Sequence, residues 1–343
     1  MNSTDVHVLS VGTALPGPAV DNATLTRRLG TPAVWADWID SFIGTRTRHF
    51  SIDLETGEAR SSLTDLCETA GGKALASAGL SAADVDLVIL GTSSPDMLMP
   101  ATVNMVADRL GIDDVPTYQM QSGCCGAVQA LDVARKLLSA GNGRTALVLG
   151  GDNSVKHFDL TADFSALDPA EQVNVVIFGD GAGAAVLSTE PLPGAAVLRH
   201  VVLRLVGLNR PPGQIVEWFG RGDRNSDRTP IVEDYKAIEE SVPRLAADVL
   251  DQVLDDLDWS EADIDYLLPP QLSGRMTETI VEALGVPGAQ EVSCVAEIGN
   301  TGNALPFFQL ERALPRMVAG DRAVGLAVES SKWIKAGYAL EKV

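Results

Sequence analysis

Two stretches of this 343-residue chain spell the same structural unit. VDLVILGTSS, from Val85, and IDYLLPPQLS, from Ile264, are apolar runs entered through an acidic capping segment, SAADVD in one case and SEADID in the other. The residues downstream match as well. After RLGIDDVPTYQ the first copy reads SGCCGAVQALDVARKLLSAGNGRTALVLGG, and after ALGVPGAQEVSCV the second reads IGNTGNALPFFQLERALPRMVAGDRAVGLAVES. In each, a strand runs into a turn of small residues and then a helix. Such a duplication restricts the fold to α/β layers built from two related halves. It also sets Cys124 and Asn300 at equivalent turns, so halves packed about a pseudo-twofold axis bring these two residues to one site.

The rest of the chain fits that frame. VHVLSVGTAL and RAVGLAVESS read as strands, and ETAGGKALASAG, the segment from Ala101 to Leu110, and RLAADVLDQVLDDL read as helices. The boundary is expected in STEPLPGAAV, which gives an N-terminal half over 1–190 and a C-terminal half over 191–343. A formal charge of −20 excludes a general nucleic-acid binder, which needs Lys and Arg to neutralise phosphates. No apolar run is long enough for a membrane span, and the N-terminus lacks the basic segment of a signal peptide, so a cytoplasmic protein is expected. Four cysteines are too few for a disulfide framework, and the adjacent Cys124 and Cys125 do not have a zinc-ligand spacing. No metal or resident cofactor is expected, and a thiol in a reducing compartment is available as a nucleophile.

Cys124 is the residue best placed for that role. A thiol at a helix N-terminus meets the positive end of the macrodipole and unpaired backbone N–H groups, which predicts a lowered pKa. The same N–H groups can serve an oxyanion. Ser122, Gly123 and Gly126 leave room for a thioester to approach. Cys125 is read as packing, and Cys67 and Cys294 as buried small residues.

The quoted motifs resemble ketoacyl-ACP synthase III, within the thiolase superfamily, over nearly the whole chain. GTALPGPAVDNATL and WADWIDSFIGTRTRHF resemble the family's opening strand, Asn-bearing loop and Trp-Ile helix ending in Arg-x-Arg-His. SGCCGA resembles its Ala-Cys-Ala-Gly turn, and FGDGAGAAVL is a close copy of a family signature. The resemblance implies a five-layered αβαβα thiolase fold and an acyl group carried on Cys124. Asn300, in GNTGNA, matches the asparagine that works with a histidine to hold the extender thioester while carbon dioxide leaves. That histidine is missing: the family's Pro-His-Gln-Ala-Asn corresponds to Pro269, Pro270, Gln271, Leu272 and Ser273, and proline cannot donate a side-chain hydrogen bond or move a proton. The glycine-rich loop that supplies an oxyanion amide also departs from the family, at Ser331, Lys332 and Trp333.

The loading part is therefore kept and the decarboxylating part changed. This predicts an acyltransferase that moves an acyl group from acyl-CoA or an acyl-carrier protein to an oxygen, nitrogen or non-malonyl carbon nucleophile, in polyketide, fatty-acid-like or other specialised metabolism. Such an acceptor needs a base, and His157 is the one histidine in a segment expected near the cleft. By resemblance, Trp38 stacks on the donor's base, Lys156 contacts phosphate and Arg275 docks a carrier protein. Met99 stands where the family has an aromatic crossing a homodimer interface. The stretch from Asn209 to Tyr235, with Trp218 and Phe219, is either a substrate cap or an exposed loop. Two other readings stay open: a decarboxylative condensing enzyme in which water or another residue replaces the imidazole, and a catalytically silent partner subunit of a paired synthase. Retention of both Cys124 and Asn300 speaks against silence.

Overall fold

The computed structural model describes residues 4–158, 163–166, 169–218 and 231–343. Ten strands make the main sheet: β1 His7–Ala14, β2 Leu87–Gly91, β3 Thr117–Met120, β4 Thr145–Asp152, β5 Gly181–Ser188, β6 Ala196–Leu205, β7 Tyr266–Leu268, β8 Gln290–Glu291, β9 Arg322–Glu329 and β10 Ile334–Lys342. Six helices pack on it: α1 Leu63–Ala78, α2 Thr102–Leu110, α3 Gly126–Ser139, α4 Tyr235–Leu257, α5 Gly274–Leu284 and α6 Leu305–Ala313.

The strand order is β8-β7-β9-β10-β6-β1-β5-β4-β2-β3. Read outward from the centre, β6, β10, β9, β7 and β8 repeat the places of β1, β5, β4, β2 and β3. The halves meet through a short antiparallel contact, His7 with Val197 and Val8 with Ala196.

Burial separates five layers, as the thiolase fold requires. Helices α1 and α2 cover the outer face of the first half, and α4 and α5 cover that of the second. Between the halves, α3 and α6 share one core in which Leu131 and Phe307 pack with side chains from strands of both halves. Every residue of β4 and of β5 is buried, as expected of strands covered on both faces. Close approach of α3 depends on Gly91, where a Cβ would meet the backbone of Gly126 and Ala127.

Two boundaries differ from the periodicity. The apolar run IDYLLPPQ stops pairing at Leu268, because Pro269 and Pro270 have no N–H to give a ladder. Helix α4 begins at Tyr235, well before RLAADVL, capped by the Asp234 side chain, which accepts from the Ala237 N–H at 3.0 Å. The stretch from Asn209 to Tyr235 contains a small hairpin, Gln214–Val216 paired with Ile231–Glu233. Phe219 and the residues to 230 lie outside the described residues.

Candidate active site

The turn between β3 and α3 carries Cys124. Gly123 adopts a positive φ of 51°, and the N–H groups of Cys125 and Gly126 bond back to the carbonyls of Ser122 and Gly123, both at 3.1 Å. This tight turn leaves Cys124 partly exposed and buries Cys125 completely. The Cys125 thiol faces the Ile334 carbonyl at 3.7 Å, consistent with packing. Cys67 and Cys294 are buried too, and burial pushes the Cys294 thiol up to about 12.

The equivalent turn before α6 carries Asn300, which is 2% exposed. Its N–H donates to the Ile177 carbonyl at 2.8 Å, its carbonyl accepts from Gly179 N–H at 3.1 Å, and its Oδ1 accepts from Gly302 N–H at 3.0 Å. Anchored so, its Nδ2 forms no hydrogen bond among the described residues. Three residues on, Asn303 ties the turns together: its Oδ1 accepts from the Ala127 N–H at 2.8 Å, in the first turn of α3.

Cys124, Asn300 and Pro270 line one cavity of about 80 Å³. Cys124 also opens on a larger cavity of about 380 Å³, lined by His157, Asp152, Trp218, Lys332 and Ser94 among others. Both strands of the small hairpin contribute, with Gln214 at both cavities, Ile231 at the larger and Glu233 at the smaller. The described part of that stretch thus lines both cavities.

Glu329, the last residue of β9, escaped the sequence reading. It is 3% exposed and lines both cavities. Its carboxylate accepts from the Cys124 N–H through one oxygen and from the Ser331 N–H, at 2.6 Å, through the other. A Cβ on Gly123 would collide with this carboxylate. Burial and the Glu329 charge push the Cys124 thiol well above its ordinary range, with smaller contributions from Asp152 and Cys125. This corrects the expectation that the helix N-terminus lowers it: the desolvated thiol beside a carboxylate is held neutral. The sequence signal was the departure of the loop after β9 from glycine, which drew attention to Ser331, Lys332 and Trp333. Trp333 is 1% exposed, its Nε1 donates to the Pro211 carbonyl at 2.7 Å, and Arg210 stacks on its ring at 3.8 Å. Lys332 donates to the Arg210 carbonyl at 2.5 Å.

His157 lines the larger cavity with its ring 6.3 Å from that of Trp218, edge to face. Burial, reinforced by Lys156, lowers its pKa, so the ring is neutral at neutral pH. No hydrogen bond orients it among the described residues. The Lys156 ammonium donates to the carbonyls of Ser94 and Pro95 at 2.8 and 2.6 Å and lies 5.8 Å from the Trp218 ring, leaving one N–H for another partner. Trp38 is 38% exposed and stacks on Phe42, itself 66% exposed. Arg275, at the start of α5, donates to the Ser41 carbonyl at 2.9 Å and to Glu278 at 2.7 Å, so it shares the surface of Trp38 and Phe42. Met99 is 86% exposed. Among the described residues no helix is long and apolar enough to cross a membrane, and no group of His, Cys, Asp or Glu side chains is arranged to hold a metal.

Comparison with known proteins places this geometry in context. A profile described as 3-oxoacyl-[acyl-carrier-protein (ACP)] synthase III matches residues 118–203, and its C-terminal counterpart matches 254–330. The beta-ketoacyl-[acyl-carrier-protein] synthase III of Rhodospirillum centenum is 32% identical over 297 residues, 87% of this chain and 86% of that protein. A solved structure named AbyA1, a tetronic acid condensing enzyme, is 60% identical with a TM-score of 0.95, covering 98% of this chain and 99% of that one. The 3-oxoacyl-(acyl carrier protein) synthase III of Pseudomonas aeruginosa PAO1 is 28% identical with a TM-score of 0.84, covering 98% of both chains.

Proposed function

Because the chain belongs to the beta-ketoacyl-ACP synthase III family and is an acyltransferase of that kind, we propose that it carries an acyl group on Cys124 and passes it to a hydroxyl or an activated carbon without decarboxylating a malonyl thioester. The observation that carries this reading is the cavity wall at Pro270: beside Cys124 and Asn300 stands a ring with neither a proton to give nor a lone pair to take one. We align Pro270 with the family's histidine, and without an imidazole the enolate left by decarboxylation loses a donor.

The loading step is thiol exchange. The Cys124 sulfur attacks the donor carbonyl, the donor C–S bond breaks, and the CoA or carrier thiol leaves with a proton. In the second step an acceptor attacks the Cys124 thioester and the thiol is restored. Asn300 Nδ2 is the donor that polarises the acyl carbonyl in this scheme. His157 lines the cavity as one candidate base. Trp38 and Arg275 form the approach for the donor's nucleotide or carrier protein, and Lys156 offers its remaining N–H to the phosphate. The exposed Met97, Leu98 and Met99 are the surface we assign to a homodimer. We place the reaction in the cytoplasm, where thiols stay reduced.

The likeness to a tetronic acid condensing enzyme supports an acceptor with both kinds of nucleophile. A tetronic acid is a five-membered lactone bearing a β-dicarbonyl, so building one from thioesters needs one acyl transfer to oxygen and one to an activated carbon. The names of the curated relatives favour the other reading, decarboxylative condensation. Intact mass after incubation with a panel of acyl-CoA and acyl-carrier thioesters, followed by a chase with 2-hydroxyacyl thioesters, tests the proposal. The expected result is an acyl adduct on Cys124 that the hydroxyl acceptor discharges. An adduct discharged only by malonyl thioesters would contradict it.

A further inference from the structure

The scheme above leaves the protons without an owner. The Cys124 thiol is held neutral, so its proton must go somewhere as sulfur attacks, and the acceptor's proton must follow in the second step. Four groups in the two cavities deserve comparison. Asp152 is spent: its Oδ1 accepts from Thr92, Ser93 and Ser94 at 3.2, 2.7 and 2.9 Å, and its Oδ2 from the Asn303 backbone and side chain at 2.9 and 2.8 Å. Among the described residues no hydrogen bond fixes the His157 ring, which meets only the edge-to-face contact with Trp218. Pro270 has nothing to offer. Among the described residues, Glu329 is buried, lines both cavities and touches the reacting residue directly, accepting from the Cys124 N–H.

We infer that Glu329 is the proton acceptor of this site. The inference rests on the reading of Cys124 as the acyl carrier and deepens it. In loading, the thiol proton moves to the Glu329 carboxylate as the S–C bond to the donor carbonyl forms; when the donor C–S bond breaks, the same proton goes to the departing thiolate. In transfer, the acceptor O–H or C–H proton moves to Glu329 as the new bond forms, and returns to the Cys124 sulfur as its C–S bond breaks. The carboxylate begins and ends each half-reaction ionised, and no other reactant is required.

The construction around Glu329 fits this task. The N–H groups of Cys124 and Ser331 each bind one of its oxygens, which fixes the plane of the carboxylate beside Cys124 while leaving further lone pairs on both. Gly123 gives it space that no other residue would. Those two amides are thereby taken, and Asn300 Nδ2 is the donor left for the acyl oxygen. Other ionisable groups facing the site are Cys125, Asp152, His157, Glu217, Glu233, Tyr235 and Lys332.

The test compares wild type, Glu329→Gln, Glu329→Asp, Glu329→Ala and His157→Gln, with single-turnover acylation by hexanoyl-CoA and, separately, alkylation of Cys124 by iodoacetamide. Glu329→Gln should slow acylation by roughly 10²- to 10⁴-fold, the usual weight of a general base, and Glu329→Asp should recover part of it. His157→Gln should slow acylation far less than Glu329→Gln. Alkylation, which needs only thiolate, should become faster in Glu329→Gln, because the charge that holds the thiol neutral is gone. Acylation in Glu329→Ala as fast as in wild type would overturn the inference and make the carboxylate a plug on the two amides. So would a larger loss of acylation in His157→Gln than in Glu329→Gln. Failure of wild type to acylate while iodoacetamide still reacts at Cys124 would defeat the acyl-carrier reading itself, and Glu329's role with it.

Discussion

Asp152 holds Asn303 by two bonds at once, accepting from its backbone N–H at 2.9 Å and from its side-chain amide at 2.8 Å through a single oxygen. The end of β4 in one half is thereby fastened to the loop that carries Asn300 in the other. Asn303 in turn accepts from the Ala127 N–H, so the chain of contacts runs on into the helix that presents Cys124. The two turns meet because a buried carboxylate joins them.

Asp152→Ala should cut this link and leave the Asn303 amide without a partner. The expected outcome is a loss of about 1–3 kcal/mol in urea unfolding, together with slower acyl loading of Cys124. Loading at the wild-type rate would show that the turns do not need this tie.

Cys124→Ala should abolish covalent acyl labelling, whereas Cys125→Ala should leave it largely intact, since the Cys125 thiol is turned away toward the Ile334 carbonyl. Peptide mapping of the adduct checks this. Labelling that survives the first substitution and disappears in the second would move the nucleophile by one residue.

Helix α3 reaches its place only because Gly91 has no side chain. Gly91→Ala would press a methyl group onto the backbone of Gly126 and Ala127, which cannot yield as a side chain would. A destabilisation of about 1–3 kcal/mol is expected, with Cys124 labelling impaired more than the fold. Unchanged labelling in a destabilised protein would separate packing at Gly91 from the site.

Burial raises the Asp180 carboxyl to about 6 from its ordinary 3.8, against the opposing bonds from the Ser51 and Val155 N–H groups. A raised folded-state value means the folded protein binds more protons between the two values. Its contribution to stability is therefore full below about pH 4 and is lost as pH rises through about 6, a change of roughly 3 kcal/mol at most. Urea midpoints measured from pH 4 to 7 should show this downward component in wild type and a flatter profile in Asp180→Asn.

Much of this was legible in advance because duplication is written in residue order. The small-residue turns at Cys124 and Asn300 could be matched across the copies, and strand order follows once each copy folds alike. Arg-x-Arg-His was read as a family mark, and its structural reason is visible only in three dimensions: Arg48 is fully buried, bonding Asn22 at 2.6 Å and the Val176 carbonyl at 2.7 Å, beside the wall formed by Ile177 and Phe178. Glu329 was not legible, since a glutamate closing an apolar strand reads as a solvated end. Its burial depends on Gly123, 206 positions away by subtraction of the two residue numbers. The lowered thiol pKa expected from the helix terminus failed for a related reason, because burial of the thiol, and after it the Glu329 charge from the other half, push it upward.

Charge reversal at Arg275 should raise the KM for a carrier-protein donor by about five- to tenfold with little change in kcat, as loss of uniform binding does. The side chain is 53% exposed and already paired with Glu278, which keeps the effect small. A fall in kcat at saturating donor with KM unchanged would contradict a docking role.

The central claim, acyl transfer without decarboxylation, is tested most directly by offering acyl-loaded enzyme labelled malonyl-CoA and malonyl-carrier protein and counting carbon dioxide and ketoacyl product. With Pro270 in the cavity wall the account predicts an intact Cys124 adduct and little or no carbon dioxide from either thioester. Rapid formation of both products, dependent on Cys124, would contradict it and make the protein a decarboxylative condensing enzyme.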